Sequence, residues 1–89
     1  MSEIPTKILL IEDDLTTQRV LQRMLEDEGY EVATANDGVE GLEQAVRFHP
    51  AMIICDWIMP RLDGLEVCRR VKADPELATI FFVLLTARG

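Results

Sequence analysis

Two short runs, Lys7-Ile8-Leu9-Leu10-Ile11 and Ala51-Met52-Ile53-Ile54-Cys55, are apolar without alternation, and each stops at a carboxylate. A strand that is apolar on both faces must be covered on both, which is the condition of a parallel sheet sandwiched by helices. Helical stripes fall between the strand-like runs. Leu15, Val20, Leu21, Met24 and Leu25 recur at helical spacing from about Leu15 to Glu28, and this stripe is expected in the core. Asp14 or Thr16 suits the cap at its start, and Gly29 the left-handed position beyond its end. Glu31–Ala35 reads as a second strand. Asn36-Asp37-Gly38 is turn chemistry in which Asp37 also caps a helix bearing Val39, Leu42, Ala45 and Val46, ended by Pro50. Asp63 caps a third helix with Leu65, Val67, Cys68 and Val71; Asp74-Pro75 opens a loop, and Ile80–Leu85 is a fourth strand. The order βαβαβαβ predicts an α/β fold, a doubly wound parallel sheet with right-handed crossovers.

The carboxylates gain meaning from that topology. The first run ends in Glu12-Asp13-Asp14 and the third strand in Asp56. If the two strands are parallel neighbours, these acids meet at the sheet edge where open α/β sheets bind ligands. At ~4 Å and an effective dielectric near 20, each like-charge pair costs roughly 4 kcal/mol. The sequence therefore asks for a cation. A glycine-rich phosphate cradle is absent from the first loop, whose acids would repel a bare phosphate. They suit a hard cation such as Mg2+, which neutralises charge while a phosphoryl group transfers. Asp56, held at a strand tip, is then the candidate nucleophile for an aspartyl-phosphate. Thr86 closes the fourth strand and is expected to offer its hydroxyl to the same edge.

Composition sets the outer limits. Eighty-nine residues make one small domain, and 48% apolar content favours a folded chain over a disordered one. A net charge of −7 argues against direct nucleic-acid binding. Cys55 and Cys68 are read as buried free thiols of a reducing compartment. Neither a secretory signal nor a span-length apolar run is visible, so a cytoplasmic location is expected. His49, before Pro50 at a helix end, is read as structural, and Arg69, Arg70 and Lys72 as a solvated helix face. Trp57 beside Asp56 is open to two readings, shaping access or ordinary packing.

Ile-Glu-Asp-Asp after strand one, Asp56-Trp-Ile-Met-Pro-x-x-Asp-Gly after strand three and Leu-Thr-Ala after strand four, in order along nearly the whole chain, resemble the receiver domain of bacterial two-component response regulators. The resemblance implies a flavodoxin-like architecture with strand order 2-1-3-4-5. It implies that Asp56 is the phosphoacceptor for a histidine kinase or phosphotransfer protein, that Glu12 and Asp13 form the acid pair, and that Asp13, Asp56 and the Ile58 backbone carbonyl hold Mg2+. Thr86 matches the switch hydroxyl, while Met59-Pro60 and Asp63-Gly64 match a loop that shapes the pocket. The family's fifth strand with its lysine, its aromatic switch residue and its final helix have no counterpart here, and neither Lys7 nor Lys72 stands at the lysine's place. Residues 1–89 are thus expected to be a single receiver domain without its last helix–strand–helix portion, regulatory and not a turnover enzyme. An effector domain or partner protein would receive its signal.

Alternatives remain. A phosphorylation-independent receiver-like interaction module is one. A haloacid-dehalogenase-like phosphatase would want a second acid two residues after its nucleophile, where this chain has Ile58. A flavodoxin-like cofactor carrier lacks its phosphate-binding loop. Because Ile80–Leu85 is the most apolar strand yet the last, it would form an open edge, and dimerisation or strand exchange through it is expected.

Overall fold

A computed structural model describes residues 4–86. Its elements alternate as expected: β1 (Lys7–Ile11), α1 (Leu15–Asp27), β2 (Glu31–Ala35), α2 (Gly38–Phe48), β3 (Met52–Asp56), α3 (Gly64–Ala73) and β4 (Phe81–Leu85). All neighbouring strands are parallel, in the order β2-β1-β3-β4, the first four positions of the flavodoxin-like arrangement. β1 has β2 on one side and β3 on the other. The chain therefore reverses its direction of travel across the sheet at the β1/β3 boundary, the switch point where such sheets open a crevice.

Local chemistry explains the helix starts. Asp14, Asp37 and Asp63 each stand in extended backbone and accept the amide of the residue three further on, Thr17, Glu40 and Glu66 respectively. Gly29 follows α1 with φ +97°, a conformation that a side chain would strain. At the end of α2 the left-handed position falls on His49 (φ 52°), a structural role without glycine.

The two faces of the sheet differ. Leu9, Ile11, Ile53 and Cys55 point to the face covered by α2 and α3, where they join Ala35, Ala45, Val67, Val71, Leu77 and Ile80 in one continuous core. Each fully buried aliphatic side chain there contributes roughly 1.5–3 kcal/mol, so β1 and β3 are the best-anchored strands. Ile8 and Leu10 point the other way, toward α1, and are equally inaccessible. Here one expectation fails. Leu15, Val20 and Met24 of the α1 stripe are all more than half exposed, not core. The helix turns its 18–21–25 edge to β1 and β2, and among the described residues no second helix lies beside it to cover Val20 and Met24.

β4 occupies an edge among the described residues, with Phe81 63% exposed. β3 runs one residue further than expected because Asp56 pairs with Leu85 and the Trp57 amide donates to the Leu85 carbonyl at 2.9 Å. Asp56 is thus the last residue of the strand, at the tip where the sequence placed it. Lys72 is exposed, as expected, and its Nζ also donates to the carbonyls of Ile80 (2.7 Å) and Ala78 (3.1 Å), tying α3 to the approach of β4. Arg69 and Arg70 do lie on an exposed face, paired with Glu66. Cys55 and Cys68 are free thiols, the first buried and the second half-buried.

Candidate functional site

Register places the acids. Ile11 pairs with Cys55, so the next residue of each strand, Glu12 and Asp56, emerge side by side at the carboxyl end of the sheet, with Asp13 immediately after. One carboxylate oxygen from each of Glu12, Asp13 and Asp56 lies within 4.8 Å of the others. Glu12 and Asp56 are buried; Asp13 is exposed. Asp14 does not join them. It is spent on the α1 cap, where Oδ2 accepts the Thr17 hydroxyl (2.6 Å) and amide (2.9 Å).

Electrostatics separate the two residues that flank Asp13. Burial raises the Glu12 carboxyl above the usual carboxylate range, and the charges of Asp56 and Asp13 push the same way, against the Asp14 amide that it accepts at 3.1 Å. Asp14 moves down, because the Thr17 hydroxyl and amide both donate to its ionised form. Among the described residues Glu12 therefore lacks a positive partner, while Asp14 is satisfied. Neither of the chain's two lysines supplies one: Lys7 Nζ donates to Phe48 O (3.3 Å), and Lys72 is held by the carbonyls named above.

The donor set fits a hard divalent cation. Oxygens sharing an octahedral ion at ~2.1 Å bonds stand about 3 to 4.2 Å apart, close to the spacing already present. The three acids open onto a cleft of about 400 Å³ that is also lined by Asp14, Thr17, Leu21, Leu85 and Thr86. Thr86 thus borders the acids, as expected from its place after β4. Ile58 lies two residues past Asp56 in the loop leading to α3, its apolar side chain largely exposed, so this position carries no acid. Trp57 is partly exposed, which leaves both of its readings open.

That loop is folded back tightly on Asp56. The Gly64 amide donates to the Trp57 carbonyl at 2.9 Å, and a Cβ on Gly64 would lie 2.5 Å from the Asp56 carbonyl and 2.7 Å from Leu84. Asp63-Gly64 therefore shapes the pocket by letting backbone meet backbone.

A model of the response regulator receiver domain matches residues 8–89. The chain belongs to the response regulator receiver domain family. Among curated relatives of this receiver domain, the response regulator MprA of Mycobacterium leprae (strain TN) is 45% identical over 82 residues, 92% of this chain and 35% of that protein. The chain spans about a third of the length of such relatives. Among solved structures, a response regulator from Chloroflexus aurantiacus J-10-fl superposes with a TM-score of 0.92 at 37% identity, covering 97% of this chain and 70% of that one. The receiver domain of the sensor histidine kinase PA1611 from Pseudomonas aeruginosa PAO1, solved with a magnesium ion coordinated in its active-site cleft, gives 0.89 at 32% identity, covering 96% and 70%. Among the described residues, no helix is long and apolar enough to cross a membrane.

Sequence reasoning missed a side chain that holds the Glu12 carbonyl and a long-range ion pair elsewhere in the loops. Gln18 is the buried residue of α1, and its Nε2 reaches Glu12 O, Ala35 O and Asn36 Oδ1. A signal existed, since position 18 shares a helix face with Leu21 and Leu25 (i, i+3, i+7). Arg61, left-handed at φ 69°, forms a 2.7 Å ion pair with Asp37 across a separation of 24 residues. Nothing in the local sequence signals that contact.

Proposed function

We propose that the chain is a phosphoacceptor signalling module in which Asp56 takes a phosphoryl group from the phosphohistidine of a sensor histidine kinase or phosphotransfer protein. One observation carries the reading: carboxylates from two separate segments meet within 4.8 Å at the tips of β1 and β3, with no lysine paired to them. A carboxylate oxygen of Asp56 forms the new bond to phosphorus while the phosphorus–nitrogen bond to histidine breaks and its electron pair leaves with the imidazole. Mg2+, when bound, neutralises the phosphoryl charge during this transfer. Glu12, Asp13, Asp56 and the Ile58 backbone carbonyl are the residues that would hold it. The buried backbone of β3 keeps Asp56 fixed at the strand tip, and the loop through Gly64 limits its movement. Thr86, bordering the same cleft, is assigned to hydrogen-bond the new phosphoryl oxygens and to shift as they arrive.

The module is regulatory, acts in the cytoplasm and signals to an effector domain or partner protein. Residues 1–89 are assigned to a single receiver domain, and they cover 70% of each of the two solved structures named above. Dimerisation or strand exchange through β4 belongs to the same reading and is supported by its edge position. Sedimentation showing a monomer at high concentration would count against that part.

Beryllofluoride with Mg2+ tests the central claim. It should move amide resonances around Asp56 and Thr86 in the wild-type chain and leave Asp56→Asn unchanged. A folded wild-type chain that gives no response favours the phosphorylation-independent interaction module.

A further inference from the structure

We propose that Gln18 is a positioning residue for the acidic site, fixing the Glu12–Asp13 backbone at the setting where both carboxylates meet Asp56. The inference rests on the proposed function and extends it to a side chain that would touch neither ion nor phosphoryl group.

Gln18 is 6% exposed within a helix whose other residues are exposed or only half-buried. A buried primary amide must find partners, and this one finds them in two loops. Its Nε2 lies 3.0 Å from the Glu12 carbonyl, 3.2 Å from the Ala35 carbonyl and 3.0 Å from Asn36 Oδ1. Two of these acceptors are backbone carbonyls that cannot donate, so the atom facing them must be the NH2 group. The Ala35 carbonyl also accepts the Glu12 amide at 3.0 Å. Glu12 is therefore held at both ends: its N–H through Ala35 and its C=O through Gln18.

Peptide planarity gives that second bond its consequence. The Glu12 carbonyl and the Asp13 amide share one rigid plane, so fixing the carbonyl sets the direction in which Asp13 leaves the strand. An ion that demands near-ideal octahedral spacing is sensitive to such a setting. Asn36 extends the tie into the β2–α2 loop, where its own amide is held by Glu40 Oε1 at 2.8 Å.

The test uses the 89-residue chain, with Mg2+ affinity measured by calorimetry and hydrogen exchange followed without metal. Gln18→Met keeps the length and helix propensity but removes the donor. Gln18→Asn keeps the amide but shortens its reach by one methylene. Both should weaken Mg2+ binding about tenfold, as losses behind a metal ligand typically do. Both should also speed exchange of the Glu12 amide in the metal-free chain. Either variant folding and binding Mg2+ within twofold of wild type would overturn the positioning role. Loss of fold in both would overturn it as well, leaving a purely structural residue. A wild-type chain that binds no Mg2+ would bring down the proposed function and this inference together, an outcome read on wild type alone.

Discussion

The two ends of the sheet handle charge in opposite ways. At the amino end, Lys7 donates to the Phe48 carbonyl and stands 5.1 Å over that residue's ring, and Lys72 donates to the Ile80 and Ala78 carbonyls. Each cation meets backbone oxygens left over at a helix end or a loop, and the arrangement is closed. At the carboxyl end Glu12, Asp13 and Asp56 bring like charges together, and neither lysine is near. Satisfied charge at one end serves structure; crowded charge of one sign at the other is what the proposed cation site rests on. The comparison also shows why the same strands serve both ends. β1 and β3 are mostly buried, so they hold Lys7 in place at one tip and Glu12 and Asp56 at the other.

The largest expected effect breaks the carboxyl end. Gly64→Ala places a methyl group 2.5 Å from the Asp56 carbonyl and 2.7 Å from Leu84, and the first of these is backbone that cannot rotate away. A loss of about 1–3 kcal/mol is expected from such overpacking, read as a lower urea midpoint, together with weaker Mg2+ binding as the Asp56 tip shifts. Unchanged stability and affinity would mean that the loop is looser than its contacts imply. A smaller effect is expected at the other end. Lys72→Met should cost about 1 kcal/mol through the lost bond to Ile80 while leaving Mg2+ affinity within twofold. Equal damage to both properties would show that the two ends are not independent.

Much of this contrast was legible in the residues. Unalternating runs announced β1 and β3, and their acidic ends marked the sheet edge. Asp14, Asp37 and Asp63 announced three helix starts because capping depends on a residue and the amide three positions on. The orientation of α1 was not legible. Five apolar residues spread over more than one face, and only the packed sheet decides that Leu21 and Leu25 turn inward while Val20 and Met24 do not. Gln18 was only partly legible: it shares a helix face with Leu21 and Leu25, yet a glutamine in mid-helix reads as solvent-facing until two loops supply its acceptors. Asp14 misled in the opposite direction, grouped with the other acids by adjacency although its cap removes it from them.

The finest test compares Glu12 with Asp14, two residues apart and shifted in opposite directions. Glu12 is raised from an ordinary value of 4.5, chiefly by burial and further by the charges of Asp56 and Asp13, so folding disfavours its ionised form relative to the unfolded chain. Relative to neutral Glu12, its ionisation destabilises the fold above the raised value, and this penalty is absent below 4.5. Glu12→Gln should therefore raise the urea midpoint of the metal-free chain at neutral pH, with the gain fading as pH falls through the raised value. Asp14 is lowered from 3.8, so its stabilising contribution is complete above that value and is lost only as pH falls further, through its folded value. Asp14→Ala should lower the midpoint at neutral pH, and its deficit should close only in that more acidic range. A Glu12→Gln gain that persisted into acid would show that the burial of an ionised Glu12 beside Asp56 and Asp13 is not its source. Saturating Mg2+ should invert the Glu12 result, because a cation that binds only the folded chain stabilises wild type by mass action and does so less when one ligand is gone.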